Sequence, residues 1–258
     1  MIKFERVTKY FGEKKVLDGV DFTVEAGETF VIVGFSGAGK SVTLKHMIRL
    51  LTPDYGRVHL GGDVISSATG KDLQRLREKF GVLFQGAALL EWMSVGDNVG
   101  LPLREKTSMG EHEIQRLVRD KLDQVNLSHV YDLMPSELSG GMRKRVGLAR
   151  ALIMNPAIIL YDEPTSGLDP VTSRSIDQLI DRMRVDLKVT NVVVTHDLFS
   201  ALAIGSRIAM IHNGRILEIS APADFVRSRN EVVKNFLDSQ YITKRGKWEA
   251  HIDETQKT

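Results

Sequence analysis

The chain has 258 residues, 42% of them hydrophobic, enough for a substantial core in one large domain or two lobes. Its 35 basic residues nearly balance 33 acidic ones, so no global charge marks a nucleic-acid binder, and the absence of cysteine excludes disulfides and thiolate-held metals. The opening MIKFERVTKYFGEKK carries charges where a secretory signal needs an apolar core, and no run of about eighteen apolar residues can span a bilayer, so work at a membrane requires a docking partner.

In chain order, residues 1–25 read as antiparallel strands and turns, opened by the β-rich run IKFERV. TFVIVG is a strand, the glycine-rich segment after it a loop, and 40–50 a helix. FGVLF is the next strand. From about Ala87 to Asn155 no strand signal stands out, while helical patterns cover 111–126 and 141–155, which predicts a helical insert. AIILYDE, NVVVTHD and RIAMIHNGRILEIS are further strand-like runs, with a helix over 171–187 between the first two. Several runs are apolar without alternation, as strands buried on both faces require. The whole predicts an α/β fold: a mainly parallel core sheet, an antiparallel β region at the start and the insert at about 87–155. Residues 1–237 read as one domain, and 238–258 as a polar extension that orders against a partner.

In VIVGFSGAGKSVTL, Gly34, Gly39, Lys40 and Ser41 have the spacing GxxxxGK[ST] between a strand and a helix, the context of a phosphate-binding loop. Its glycines let the backbone N–H groups from about Ser36 to Ser41 turn inward on phosphates, with Phe35, Gly37, Ala38 and Val42 in the same nucleotide-binding stretch. Lys40 neutralises β/γ charge and Ser41 offers a hydroxyl to magnesium. A mere glycine-rich turn explains neither residue. AIILYDEP ends an apolar run on two carboxylates. Asp162 fits a second magnesium contact and Glu163 a base that polarises water, although a solvated acidic turn has the same sequence pattern. Gln85 and His196 each follow a strand, where α/β sheets collect ligand groups. Singly each is an ordinary loop residue; together they read as γ-phosphate sensors. Ser139, Gly140 and Gly141 open a basic amphipathic helix, either as a cap or as an anion site at its positive end.

With these pieces the chain resembles, along almost its full length, the nucleotide-binding subunits of ABC transporters, whose LSGGQ motif stands here as LSGGM at Leu138 to Met142. The resemblance implies a P-loop ABC ATPase fold with a RecA-like core, and ATP and Mg2+ as cofactors. It gives Phe11 to adenine stacking, Gly34 to Ser41 to the phosphates, and Ser41, Gln85 and Asp162 to the metal. Glu163 becomes the catalytic base, Asp169 the end of the SGLD loop between two sites, and His196 the switch. Met142 departs from the family glutamine but leaves the serine and glycine contacts in place. In this family the helical lobe projects away from its own nucleotide. The resemblance therefore implies that Ser139, Gly140 and Gly141 meet ATP held by a second copy, two chains enclosing two ATP molecules.

The stretches GVLFQGAALLEWMSVGDNVGLPLREKT and LMPSELSGGMRKRVGLARAL are similar to the Mla-type ATPases that act with MCE-domain proteins in lipid trafficking. That similarity implies a peripheral subunit on the cytoplasmic face of the inner membrane, with no nucleic-acid partner. An integral permease would hold it by a helix in a groove near Leu89, Leu90, Trp92 and Met93. An MCE-domain protein, phospholipid cargo and, in some relatives, a STAS-domain regulator complete the implied system. An amino-acid importer, a lipoprotein-release subunit or a soluble cluster-assembly ABC protein shares the same motif chemistry. A P-loop kinase lacks LSGGM and the switch histidine.

Overall fold

The computed structural model describes residues 1–240 and 242. Along the chain run β1 (Ile2–Phe11), β2 (Lys14–Val24), β3 (Thr29–Val33), α1 (Lys40–Met47), β4 (Tyr55–Leu60), β5 (Asp63–Val64), α2 (Gly70–Arg77) and β6 (Phe80–Leu83). Then α3 (Val95–Lys106), α4 (Glu111–Gln124) and α5 (Gly140–Leu152) follow with no strand between them. The remainder alternates through β7 (Ile158–Asp162), α6 (Pro170–Leu187), β8 (Thr190–Thr195), α7 (Leu198–Ile204), β9 (Arg207–His212), β10 (Arg215–Ser220), α8 (Pro222–Phe225) and α9 (Glu231–Ser239).

The antiparallel sheet has the order β2-β1-β4-β5, and the larger sheet the order β10-β9-β3-β8-β7-β6, in which β10 alone runs antiparallel. The unalternating apolar strands now have their reason. Val31 and Val33 of β3 point into a core shared with α5, α6, α7 and α9, while Phe30 and Ile32 point into a second core under α1 and the antiparallel sheet. A stack of Phe4, Phe22 and Phe30, with centroids 4.5 and 5.2 Å apart, ties the two sheets together. The mainly parallel core, the antiparallel region and the helical insert stand as predicted. Among the described residues no helix is long and apolar enough to cross a membrane.

α2, α3, α7, α8 and α9 lie outside the helical stretches that the sequence pattern predicts, and α3 and α9 show why. α3 contains Gly96, Gly100 and Pro102, which argue against a helix, yet a Cβ at Gly96 would lie 2.5 Å from the Tyr131 ring. Close packing inside the insert demands the glycine and overrides its low helix propensity. Ser94 caps the helix by accepting from Asp97 N–H at 3.1 Å. α9 buries Val233, Phe236 and Leu237, with Asn230 accepting from Val232 N–H at 2.9 Å as its cap. It runs across position 237 and ends at Ser239. Of the predicted polar extension, residues 241 and 243–258 lie outside the described residues.

α6 and α7 pack through a buried acid. Asp177 is 7% exposed; its Oδ2 accepts from Ser200 Oγ at 2.8 Å and its Oδ1 has no partner. Burial raises its pKa to about 6, against the opposing Ser200 bond and with Asp197 adding to the rise. A carboxyl raised in the native state holds its proton there more tightly, so stability falls as pH climbs from the unfolded value of 3.8 to about 6, and is flat above. Asp177→Asn is expected to gain up to about 3 kcal/mol over the wild type at pH 7.5, a gain that vanishes near pH 4. Thermal unfolding of both proteins across that range reads the difference; a gap independent of pH contradicts it.

Candidate nucleotide site

β3 is buried at every position and delivers the loop 34–39 to the carboxyl edge of the larger sheet. The loop is tight. A Cβ at Gly34 would sit 2.3 Å from the Ile211 carbonyl oxygen, and one at Gly39, where φ is 109°, 2.8 Å from Leu17 Cδ2. α1 then begins at Lys40 with no side-chain cap, so its orphan N–H groups open onto the loop. Ala38 is buried beneath it.

Lys40 is buried, and its Nζ donates to the carbonyls of Gly34 at 2.8 Å and Phe35 at 3.2 Å while lying 3.7 Å from Glu163 Oε1. Burial pulls its pKa below the usual lysine value, opposed by Glu163 and Asp162. Ser41 Oγ donates to Asp162 Oδ1 at 2.8 Å, which joins the first turn of α1 to the end of β7. A hydroxyl and a carboxylate side by side, with a further amide oxygen on Gln85 at the same cleft, are hard oxygen donors of the kind magnesium takes. The residues fit that ion.

Glu163 follows β7 with φ 50°, in the left-handed region that costs a non-glycine residue about 1 kcal/mol or more. Its backbone is held on both sides. The N–H donates to Val194 O at 2.9 Å, and the carbonyl accepts from Lys144 Nζ at 3.0 Å and Ser166 N–H at 3.2 Å. The strained turn points the carboxylate toward the end of β8, where Oε2 lies 2.8 Å from His196 Nδ1 and accepts from Thr195 Oγ1 at 3.3 Å.

Around these groups lies a cleft of about 730 Å³. The loop and helix residues Phe35, Ser36, Gly37, Gly39, Lys40, Ser41 and Val42 line it, as do Gln85, Glu163 and His196. Phe11, at the end of β1, lines its mouth with nearly half its surface exposed. The predicted groups thus converge, except for one set. Ser139, Gly140, Gly141 and Asp169 lie outside this cleft. Ser139 caps α5 by accepting from Met142 N–H at 3.3 Å and is exposed with Gly140, whereas Gly141 is buried. A Cβ at Gly141 would lie 2.5 Å from Thr172 Cγ2, so close approach of α6 requires this glycine. Asp169 caps α6, its Oδ1 accepting from Val171 and Thr172 N–H at 3.0 Å.

Sequence reasoning missed Lys144. Its buried ammonium donates to the carbonyls of Gln85 and Glu163, joining α5 to both. The signal was available: Lys144 stands at i+3 from Gly141 and i−4 from Leu148, on the buried face of a helix where an apolar residue is expected. Also unmarked in the sequence were Phe236, Ser239 and Gln240, which bring the end of α9 to the cleft.

The chain is similar to known proteins along most of its length. The sequence profile of the family described as ABC transporter matches residues 17–166. The probable ribonucleotide transport ATP-binding protein mkl of Mycobacterium tuberculosis is 40% identical over 241 residues, covering 93% of this chain and 67% of its own. The chloroplastic protein TRIGALACTOSYLDIACYLGLYCEROL 3 of Arabidopsis thaliana is 38% identical over 253 residues, 92% of this chain and 73% of its own. The dimeric structure of MJ0796, a bacterial ABC transporter cassette, superposes with a TM-score of 0.80 at 34% identity over 86% of this chain and 99% of that one. The chain belongs to the ABC transporter family as an ATP-binding subunit, an ATPase whose hydrolysis of ATP is coupled to transport.

Proposed function

We propose that two copies of this chain enclose two ATP molecules, each cleft being completed by Ser139, Gly140 and Asp169 of the other copy, and that the pair drives a permease carrying phospholipid. The observation that carries the two-copy reading is the separation just described. An exposed helix start with an uncapped Gly140 N–H sits away from its own cleft, and it suits an anion presented by another molecule. The dimeric cassette MJ0796 supports it.

In the closed pair Phe11 stacks on the adenine and the loop 34–42 holds the phosphates. Ser41, Asp162 and Gln85 hold magnesium, which supplies neutralisation of β/γ charge. Glu163 accepts a proton from water as the water oxygen bonds to the γ-phosphorus and the bond to the ADP oxygen breaks, leaving ADP and phosphate. His196, set against Glu163, contacts the γ-phosphate. Loss of that phosphate removes the bridge, and the interface opens.

The loop after Gln85 is built to meet a partner. Buried Asn98 accepts from Leu90 N–H at 2.8 Å and donates to the carbonyls of Leu90, Met93 and Ser94 at 3.0 Å each. That leaves Trp92 76% exposed while Leu89 stays in the core. A groove of about 330 Å³ between Phe80, Phe84, Leu101, Pro102 and Met154, which Leu89, Leu90, Trp92 and Met93 do not line, is of a size for apolar side chains from a permease helix. Attachment there places the chain on the cytoplasmic face of the inner membrane as a peripheral subunit. The Arabidopsis relative, whose name is that of a galactolipid, and the Mla-type stretch around LSGGM support lipid cargo, and the Mla-type resemblance alone implies the MCE-domain partner.

The test is isolation of the native complex through a tag on this chain, from detergent-solubilised membranes, with mass spectrometry of its proteins and lipids. The expected result is an integral permease, an MCE-domain protein and phospholipid in molar amounts. A complex free of lipid, or one without a membrane subunit, overturns the cargo reading.

A further inference from the structure

The carboxyl end of α9 touches the site in two places. Phe236 meets the phosphate loop edge-on, its ring 4.9 Å from Phe35 at 71°. Gln240, just past the helix, reaches the turn that carries His196. Its Nε2 donates to the His196 carbonyl at 2.6 Å, and its Oε1 accepts from Leu198 N–H at 2.9 Å. One amide therefore satisfies a main-chain acceptor and a main-chain donor on either side of Asp197, as a neighbouring strand would.

Within that turn Asp197 N–H donates to Thr195 Oγ1 at 3.0 Å, and Gln240 holds the residues on either side of it. His196 lies beyond the last residue of β8 and before α7, with a mostly exposed side chain. Asp197 is committed to capping α7, accepting from Phe199 N–H at 2.9 Å and Ser200 N–H at 3.3 Å. Glu163 Oε2 accepts from His196 N–H at 3.3 Å, but that carboxylate is the group whose chemistry the histidine serves. Gln240 holds the turn from a different element.

We infer that Gln240 is a positioning residue for hydrolysis: its side-chain amide fixes the main chain of residues 196–198 so that the His196 imidazole stays against Glu163 and faces the γ-phosphate. The inference rests on the reading of His196 as the γ-phosphate contact. It makes the helix at the end of the described chain, beyond the segment matched by the family profile, part of the catalytic geometry.

The experiment uses the full chain with Gln240→Leu, Gln240→Glu, His196→Ala and the double variant His196→Ala/Gln240→Leu, measuring kcat, KM for ATP and Tm. Leucine removes both bonds. Glutamate keeps the shape and the acceptor for Leu198 but sets oxygen against the His196 carbonyl, so its fold is preserved where its hold is not. Both are expected to lose about ten- to a hundredfold in kcat, the scale of a small misplacement of reacting groups, with KM within about twofold and Tm for Gln240→Glu at the wild-type value. Because Gln240 acts through His196, the double variant is expected to be no slower than His196→Ala alone. If His196→Ala is inactive while both Gln240 variants turn over normally, the role of Gln240 is overturned and that of His196 stands. If the double variant is far slower than His196→Ala, Gln240 acts elsewhere and the inference fails. If His196→Ala itself turns over normally, the switch reading fails first and takes this one with it.

Discussion

Glu163→Gln is expected to lower turnover by roughly 10²- to 10⁴-fold while ATP still binds, the span that removal of a general base produces. The change keeps the side chain's length and shape, so the left-handed turn at φ 50° and its main-chain bonds to Val194, Ser166 and Lys144 survive. What disappears is the basic oxygen beside Lys40 and His196. The loss corresponds to about 3–5 kcal/mol of barrier. Single-turnover assays with magnesium and ATP, together with equilibrium binding, check it; a variant within tenfold of wild-type turnover shows that some other group takes the proton.

Ser139→Arg carries the second large effect. Ser139 lies outside the cleft of its own chain, so ATP affinity of the isolated chain is expected to stay within about threefold of wild type, while hydrolysis disappears because a long cation stands where the other copy's phosphates must approach. Part of any effect is local, since the serine caps α5 and losing a cap costs about 1 kcal/mol. Ser139→Ala carries that same loss without the bulk and separates the two. It is expected to show a similar fall in Tm but to retain measurable turnover. Equal loss of hydrolysis in both variants would show that turnover needs the Ser139 hydroxyl itself, and not merely a face free of bulk.

The larger sheet and the phosphate loop were legible because their residues stand in consecutive runs of fixed spacing, whatever they pack against. Glycines at 34 and 39 answer close contacts with Ile211 and Leu17, a lysine follows, and the apolar strands need no alternation when both faces are covered. Asp162 and Glu163 were legible from the strand they end. α3 was not, because its glycines and proline argue against a helix until Tyr131, Ile114 and Val118 are packed against it. Gly141 was legible only in half: the sequence allows a cap or an anion site, and the structure adds the contact with Thr172 that forbids any side chain there. Lys144 left a signal, a lysine on the buried face of α5, that does not name its partners. Gln240 was hidden because it binds a main-chain carbonyl and amide far away in sequence, which leaves no motif behind.

The enclosure of ATP between two copies is tested most directly by light scattering of Glu163→Gln with and without magnesium and ATP. With nucleotide the species is expected at twice the 28.8 kDa chain mass, and without it at the chain mass. Adding Ser139→Arg to the same chain is expected to return it to the single-chain mass with ATP still bound. A Glu163→Gln chain that saturates with ATP and stays at 28.8 kDa, at concentrations well above its nucleotide affinity, contradicts the shared site.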